Sequence, residues 1–587
     1  MTYQVTNPLD AAGTDVAQSG VDHLWSPRGR AQRGYPLRTL HPVRVMPLRE
    51  TRHYFASSRT DREEPAMTAD VTKTPVPAAI TTPSSVEAGV GTLEFTDGYP
   101  TEQTASKLRD HLDYLHGVEA FMNTVQGVST YALRRGFLDA GVMDGDVLLF
   151  SELMDSRSLF LTGNADTVYF WSFLDLTRGP LVVQTPPDSL GIFDDLWFRW
   201  ISDFGLPGAD RGKGGTYLLA GPGYDGPLPE GGYYVRHSRT NLVALLGRSF
   251  INQNPGNDPA PTVDQIKEQM EIYPFVPGGV GSSIGAFLTG RGPLGQLVTP
   301  HSPRFVEGTG LAMNTLPPAD FGHYEMLDAL VQMEPAEALD TELAGQFAAI
   351  GIVKDEKFAP DARLRKILGD AAAVANAASR TLGMGAHPTD DFRYYDGSAW
   401  WNMLWVGGYE FTNPPPMITA DGIEPFPNKG ARQLNGRTSF FYTATGTTPA
   451  MCMRLTGVGS QYLVSNVDPD GEPFDGAKTY RVALPKDIPA ARFWSFTLYD
   501  NQTRSMLQTE QRYPRAGSQE YPSPATEAEP DGSTVVYFSP SRPDDVAKGN
   551  WIQTDPERGW FVILRLYSPL QPFFDKTWRP GEIEPVR

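Results

Sequence analysis

The sequence predicts a mainly β protein with helical segments, built as two β-sandwich domains separated by a helical stretch. Its 587 residues include 58 glycines and 51 prolines without a repeating period, which indicates many turns and short strands. Aromatic residues, which favour strands, make up 11% of the chain. Between residues 147 and 250, short runs such as VLLFSELM and DTVYFWSFLDL alternate with turn residues. That spacing is typical of antiparallel strands in a sandwich, and a similar texture returns over 396–587.

Two regions have helical periodicity instead. From Thr101 to Gly141, apolar residues recur at steps of three, four and six, which predicts a helix that is broken near Gly117 or Gly127. Residues 317–384 are rich in Ala, Leu and Glu with the same periodicity. The predicted domains are therefore N-terminal helices plus a β-sandwich over 96–316, a helical segment over 317–395, and a C-terminal β-sandwich over 396–587.

The first 95 residues differ from the rest in composition. Residues 1–66 hold nine Arg, no Lys and seven acidic residues, and residues 68–92 are rich in Thr, Pro, Ser and Ala. Since neither stretch has apolar periodicity, we expect a disordered Arg-rich tail and linker over 1–95. Three interpretations stay open: translation starting near Met67, a genuine disordered tail, or a basic arm that binds an anionic partner.

Composition excludes several classes of protein. A single cysteine, Cys452, excludes a disulfide-stabilised fold and cysteine-rich zinc or iron–sulfur sites. The nine histidines include no ligand pair of the HExxH type, so a histidine-bound metal is not expected. A net charge of −19 disfavours nucleic-acid binding. No window is apolar enough for a membrane-spanning helix and no leader pattern is present, so a cytoplasmic protein is expected.

No organic cofactor is expected. Gly221–Gly226 has the spelling GxGxxG, but Pro227 and Pro229 forbid the helix that a dinucleotide site needs. The one hint of a metal is Asp468-Pro469-Asp470-Gly471-Glu472, whose clustered carboxylates suit calcium. A turn between two strands would have the same spelling, so both interpretations remain open.

Several motifs resemble those of a known family. They are Asn164-Ala165-Asp166-Thr167-Val168-Tyr169, Arg239-Thr240-Asn241, Phe493-Trp494-Ser495 and Leu564-Arg565-Leu566-Tyr567. In content and order they resemble a bacterial two-domain family of unknown function, in which a domain of unknown function 1254 precedes a domain of unknown function 1214. The resemblance implies an immunoglobulin-like sandwich, a helical insert and a jelly-roll-like C-terminal sandwich. It brings no settled activity, so it assigns no catalytic residues.

The candidate site residues are polar groups beside or within apolar strands. Asp166 and Tyr169 belong to one strand entry, and we expect both to face a cavity with Arg199 or Arg236 opposite. Because residues 166 and 169 point to opposite faces of a regular strand, Asp166 should lie ahead of the strand. These four residues would supply acid–base and anion-holding groups. The alternative is that Asn164 and Asp166 only cap a turn.

Arg565 is a fifth polar residue of this kind. It lies within the apolar run Trp560-Phe-Val-Ile-Leu-Arg565-Leu-Tyr567, on the same predicted face as Phe561 and Ile563. A buried arginine needs a carboxylate or several carbonyl groups as partners. We therefore interpret it as one half of an inter-strand or inter-domain pair, with a functional role as the alternative.

Two functions are compatible with these observations. One is a cofactor-free hydrolase or lyase acting on a small polar molecule or a carbohydrate. The other is a non-catalytic ligand-binding or assembly module, with Trp400, Trp401 and Trp405 as an aromatic platform. Assembly into a homo-oligomer is compatible with both. A cavity with a perturbed carboxyl or histidine would favour the enzyme, and a shallow aromatic strip would favour the binding module.

Overall fold

The structure is a computed structural model. It describes residue 74 and residues 76–277, 288–289, 301–384, 393–402, 408–412, 417–419, 422–424, 431–452 and 455–586. The chain divides into two units, Met1–Pro77 and Ala78–Arg587, and the helices and strands lie in the second unit.

The helices are α1 (Glu102–Asp139), α2 (Ala260–Gln269), α3 (Gly322–Met333), α4 (Thr341–Ala348), α5 (Ala362–Met384), α6 (Leu434–Thr443), α7 (Pro449–Cys452) and α8 (Gln571–Phe574). The strands up to residue 320 are β1 (Ser85–Ala88), β2 (Gly91–Thr96), β3 (Tyr99–Pro100), β4 (Val147–Leu149), β5 (Ser158–Leu159), β6 (Val168–Asp175), β7 (Leu181–Gln184), β8 (Ser189–Asp195), β9 (Trp200–Gly205), β10 (Thr216–Ala220), β11 (Tyr234–His237), β12 (Leu242–Ser249), β13 (Glu271–Pro274), β14 (Phe305–Glu307) and β15 (Met313–Asn314). The later strands are β16 (Met417–Thr419), β17 (Gly422–Glu424), β18 (Ser460–Ser465), β19 (Tyr480–Leu484), β20 (Ala490–Asp500), β21 (Arg515–Gly517), β22 (Thr534–Ser539), β23 (Trp551–Gln553), β24 (Trp560–Pro569) and β25 (Glu584–Pro585).

The N-terminal sandwich consists of two sheets. A six-stranded sheet has the order β14-β4-β6-β12-β8-β9, and a four-stranded sheet has the order β11-β10-β7-β13. Their shared core contains Val168 and Phe170 from the first sheet and Val183 and Tyr217 from the second. Pairing is antiparallel except at the edge strands β14 and β11.

The six-stranded sheet is also covered on its other face. Trp171 and Phe173 of β6 and Ala244 of β12 belong to a second core that includes Val128 and Leu133 of α1. Because both faces of these strands are buried, their sequences are continuous apolar runs rather than an alternation of apolar and polar residues.

The C-terminal sandwich packs the sheet β18-β24-β20-β21 against the sheet β23-β22-β19-β25. In β24, Val562 and Leu564 belong to the core between these sheets, whereas Phe561 and Ile563 belong to the core shared with the N-terminal region. Two β-sandwiches joined through a common layer thus confirm the prediction of a mainly β protein with helical segments.

Helix α1 is unbroken, so the predicted break at Gly117 or Gly127 is wrong. Thr101 caps its N-terminus by accepting a hydrogen bond from the backbone N–H of Thr104. Both glycines are points of close packing: a Cβ on Gly117 would lie 2.9 Å from Ala371, and one on Gly127 would lie 2.5 Å from the Trp197 ring. The glycines therefore admit neighbouring side chains without interrupting the helix.

Gly127→Ala should lower the free energy of unfolding, although alanine is the better helix former. The added methyl group would overlap Trp197, and overpacking of a core typically costs about 1–3 kcal/mol. Gly369→Ala in α5 is the matched control, because a Cβ there meets nothing within 4 Å, and it should stabilise the protein by about 1 kcal/mol. Urea unfolding of both variants measures the difference. Equal stabilisation by the two substitutions would contradict the packing argument.

Two segments differ from the sequence-based expectations. Residues 1–73 lie outside the described residues, but β1 and β2 form an antiparallel hairpin within the expected tail, so disorder does not extend to residue 95. Helix α6 was not predicted, because polar and apolar side chains alike are buried from Gly436 to Thr443 and are not separated onto two faces, so the sequence has no helical period. Helices α3, α4 and α5 lie in the segment where helices were expected.

Candidate functional site

A cavity of about 170 Å³, called the inter-domain cavity below, lies in the layer shared by the two sandwiches. The six-stranded sheet forms one wall through β6, β8, β9 and β12, and β18 and β24 of the C-terminal sandwich form another. Helices α6 and α7 and their connection form a third wall. Most of the lining is apolar: Met154, Phe160, Trp171, Ile192, Leu246, Phe440, Met451, Val464 and Ile563.

Two arginines, one from each sandwich, line this cavity. Arg565 of β24 is buried and donates to the Tyr499 hydroxyl at 2.6 Å and to the Thr162 carbonyl at 3.2 Å. Arg248 of β12 donates to the Ser460 hydroxyl at 3.2 Å. Among the described residues, neither guanidinium forms a salt bridge, and the Nη1 atom of Arg565 has no hydrogen-bond partner. The site therefore holds two permanent positive charges without a salt bridge among the described residues, and the Asp166 carboxylate acts on Arg565 only through space.

Tyr169 lies beside Arg248, which is its direct partner across the β6–β12 pairing. Burial raises the pKa of the Tyr169 hydroxyl, and Arg248, which hydrogen bonds to it, opposes that shift only in part. The hydroxyl is therefore neutral at physiological pH. It can donate to a bound anion or accept from Arg248.

Asp203 of β9 is the acidic residue of the lining. Its carboxylate accepts hydrogen bonds from the Thr448 hydroxyl and from the side chain of Trp200. Burial raises the pKa of Asp203 to about 6, against the effect of these two hydrogen bonds. Asp203 can therefore gain or lose a proton close to neutral pH.

Asp166 does precede strand β6, but it is fully buried and does not line the cavity. One carboxylate oxygen accepts from Arg515 Nε at 2.5 Å, and the other accepts from the Ser495 hydroxyl at 2.6 Å and the Tyr567 hydroxyl at 2.9 Å. All three partners belong to the C-terminal sandwich. Burial would raise the pKa of Asp166, but the positive charges of Arg515 and Arg565 hold it below its usual value.

The turn before β6 also contains the side-chain cap that the sequence analysis gave as the alternative role of Asn164 and Asp166. Asn164 Oδ1 accepts from the backbone N–H of Asp166 at 2.7 Å, and Asn164 Nδ2 donates to the Tyr567 hydroxyl at 2.6 Å. The turn is thereby fastened to β24. Its geometry accounts for Asn164 and Asp166 as residues that join the two sandwiches.

The structure brings neither Arg199 nor Arg236 beside Asp166. Arg199 Nε donates to Asp195 at 2.6 Å and its Nη1 donates to the Ala338 carbonyl at 2.7 Å. Arg236 donates to the Ser202 hydroxyl and to the Val235 carbonyl. The expected arrangement around Asp166 was wrong because the sequence did not identify Arg515 as the closer partner. Arg199 instead lines a separate cavity of about 630 Å³.

Of the four candidate residues, Tyr169 alone lines the inter-domain cavity. The sequence interpretation missed Arg248 and Asp203 and noted Arg565 without placing it in the site. Arg248 had a usable signal, since it lies in the apolar strand LVALLGRS in the same way that Arg565 lies in β24. Asp203 had no such signal, because Ile-Ser-Asp-Phe also fits an ordinary strand edge.

Other expected features can be placed as well. Trp400 and Trp401 are buried and form no exposed aromatic platform, and Trp405 lies outside the described residues.

Asp468 accepts from the backbone N–H groups of Asp470 and Glu472, so the acidic segment forms a turn. Within the described residues, no group of three or more His, Cys, Asp or Glu side chains has an arrangement suited to a metal ion. No described helix is long and apolar enough to cross a membrane.

Comparison with known proteins gives family matches and distant structural neighbours. Along 80% of this chain and 100% of its own, the VPA0106 protein from Vibrio parahaemolyticus aligns with 17% identity and a TM-score of 0.45. An uncharacterized protein from Burkholderia cenocepacia aligns along 82% of this chain and 97% of its own, with 12% identity and a TM-score of 0.31. No curated protein matches the chain significantly. Residues 146–274 match the family described as protein of unknown function DUF1254, and residues 459–571 match the family described as protein of unknown function DUF1214. The chain therefore carries a DUF1254 region followed by a DUF1214 region, the order that its sequence motifs indicate.

Proposed function

We propose that the inter-domain cavity binds a small organic carboxylate with an apolar body. The observation that carries this proposal is the pair Arg248 and Arg565, which line a mostly apolar cavity and form no salt bridge among the described residues. A guanidinium in such surroundings attracts a carboxylate strongly, because little water competes for the charge. The apolar wall would receive the rest of the ligand.

The size and lining of the cavity narrow the ligand further. An apolar cavity of about 150 Å³ is enough to hold a benzene molecule, and this cavity measures about 170 Å³. A single ring or a short aliphatic chain therefore fits. A carbohydrate suits the site less well, because its hydroxyl groups would face Trp171, Ile192 and Leu246 without hydrogen-bond partners.

A catalytic role, as a hydrolase or lyase without an organic cofactor, would need a group that transfers a proton. Asp203 is the candidate, since it lines the cavity and its pKa lies near neutrality. Non-catalytic binding of the same ligand is the alternative. Incubation of the protein with a cell metabolite extract, followed by mass spectrometry, separates the two: a compound consumed by the parent and not by Asp203→Asn supports catalysis.

Benzoate and benzamide test the binding proposal, because they share a ring and differ in charge. We expect calorimetric titration of the full chain to give at least tenfold tighter binding of benzoate than of benzamide. Arg248→Met should abolish this preference. Arg178→Met is the matched control, because Arg178 is exposed and does not line the cavity. Equal binding of the two compounds, absence of benzoate binding, or an unchanged preference in Arg248→Met would each contradict the proposal.

A further inference from the structure

The two polar ends of the cavity are far apart along the six-stranded sheet. Asp203 of β9 pairs with Ile192 of β8, and Ile192 pairs with Leu246 of β12. Arg248 lies two residues beyond Leu246 on the same strand. With neighbouring strands about 4.8 Å apart and residues about 3.4 Å apart along a strand, the Cα atoms of Arg248 and Asp203 are separated by about 12 Å.

The residues between these ends are apolar and face the cavity. Leu190 pairs with Arg248, and Ile192 and Leu246 lie in the same row of the sheet as Asp203, so all three lie between the two polar ends. A ligand whose carboxylate contacts Arg248 would lay its apolar body across these side chains. Its far end would then reach Asp203, which is where a second polar group of the ligand could be bound.

The surroundings of Asp203 leave it as the group that carries charge at this end. Asp194 of β8, Tyr409 and Cys452 of α7 are the titratable groups that interact with it. Burial raises the pKa of each: well above its usual value for Asp194, above its usual value for Tyr409, and to about 12 for Cys452. Tyr409 and Cys452 are therefore neutral at pH 7 to 8, where Asp203 is mostly ionised, and burial favours the protonated form of Asp194.

We propose that Asp203 accepts a hydrogen bond from a hydroxyl group at the end of the ligand opposite its carboxylate. This inference rests on the proposed function and narrows the ligand class to hydroxy-substituted organic carboxylates. Thr448 and Trp200 already donate to Asp203 and hold its carboxylate in place. An ionised carboxylate has about four acceptor positions, so capacity remains for a ligand hydroxyl. Such a charge-assisted hydrogen bond in an apolar cavity would make Asp203 the specificity-determining residue.

The test uses the full chain and compares 4-hydroxybenzoate with 4-fluorobenzoate, which cannot donate a hydrogen bond. At pH 8 we expect 4-hydroxybenzoate to bind at least tenfold more tightly. In Asp203→Asn this preference should fall to less than threefold, while 4-fluorobenzoate binding changes little. Asp225→Asn is the control, since Asp225 is exposed and does not line the cavity. It should keep the parent preference.

A second experiment uses only the parent protein. Lowering the pH from 8 to 5 protonates Asp203, so the preference of the parent for 4-hydroxybenzoate should decrease several-fold across this range. A preference below threefold at pH 8, one that persists in Asp203→Asn, or one that is unchanged at pH 5 would overturn the inference. If benzoate binding itself is absent, the proposed function fails. If benzoate binds through Arg248 but the hydroxyl gives no advantage, only the role of Asp203 is wrong.

Discussion

Asp166→Ala is expected to lower the free energy of unfolding by about 3–5 kcal/mol, the range for breaking a buried ion pair from one side. The carboxylate and the Arg515 guanidinium are both fully buried and 2.5 Å apart. Without Asp166, Arg515 would remain as a buried charge whose nearest carboxylate is gone. The hydroxyl groups of Ser495 and Tyr567 would lose their acceptor at the same time. Chemical unfolding monitored by tryptophan fluorescence measures the loss.

A matched control separates this effect from the loss of any aspartate. Asp139 forms an ion pair with Arg135 at 2.9 Å, but both side chains are more than half exposed. Exposed ion pairs contribute about 0–1 kcal/mol, so Asp139→Ala should change stability little. Arg515→Met combined with Asp166→Ala should cost less than the sum of the two single changes, since the double variant leaves neither charge of this pair buried without its partner. Additive losses would show that the pair does not act as a unit.

Asp194→Asn is expected to stabilise the protein at pH 7. Burial raises the pKa of Asp194 well above its usual value, and the neighbouring Asp195 and Asp203 carboxyls raise it further. A carboxyl that binds its proton more tightly in the folded state stabilises the protein at low pH. This stability is lost as the pH rises past the unfolded-state pKa of about 3.9. Each further pH unit then costs about 1.4 kcal/mol while the folded carboxyl keeps its proton. Asparagine is neutral at every pH and removes this penalty.

The pH dependence identifies the cause. The stability difference between Asp194→Asn and the parent should be larger at pH 7 than at pH 5. Thermal unfolding at both pH values measures it. Asp225→Asn, at an exposed position, should give no pH-dependent difference. A difference that stays constant between pH 5 and pH 7, or destabilisation by Asp194→Asn at pH 7, would contradict the raised pKa of Asp194 in the folded protein.

The sequence predicts the local features of the site, but not the contacts between residues that are far apart in the chain. The position of Asp166 ahead of β6 was predictable, because Gly163-Asn164-Ala165-Asp166 has the composition of a turn and the strand follows directly. The partner of Asp166 was not predictable, because Arg515 is remote in the chain and Arg199 and Arg236 are as suitable chemically. Only the packing of the turn against β20, β21 and β24 selects Arg515.

Helix α1 and helix α6 illustrate the same limit in secondary structure. The capped start of α1 and its apolar spacing indicate a helix, but glycine is locally ambiguous between a break and a close contact. In the structure Gly117 packs against α5 and Gly127 packs against Trp197, so both glycines are sites of close packing and not of a break. In α6, polar and apolar side chains are both buried and are not separated onto two faces, so the sequence lacks the pattern that indicates a helix.

By itself, the sequence determined the class of the protein: mainly β, with two regions of short apolar strands, one cysteine, and the motifs of two families in a recognisable order. These properties are local or compositional, so they survive without knowledge of the fold. The tertiary structure alone decided that the sandwiches share a layer and that Arg248, Arg565, Tyr169 and Asp203 meet in one cavity there. The physical reason is that both faces of the central strands are buried. Hydrophobic alternation therefore does not tell the face of the sandwich core from the face of the cavity, and only the packing of distant strands does.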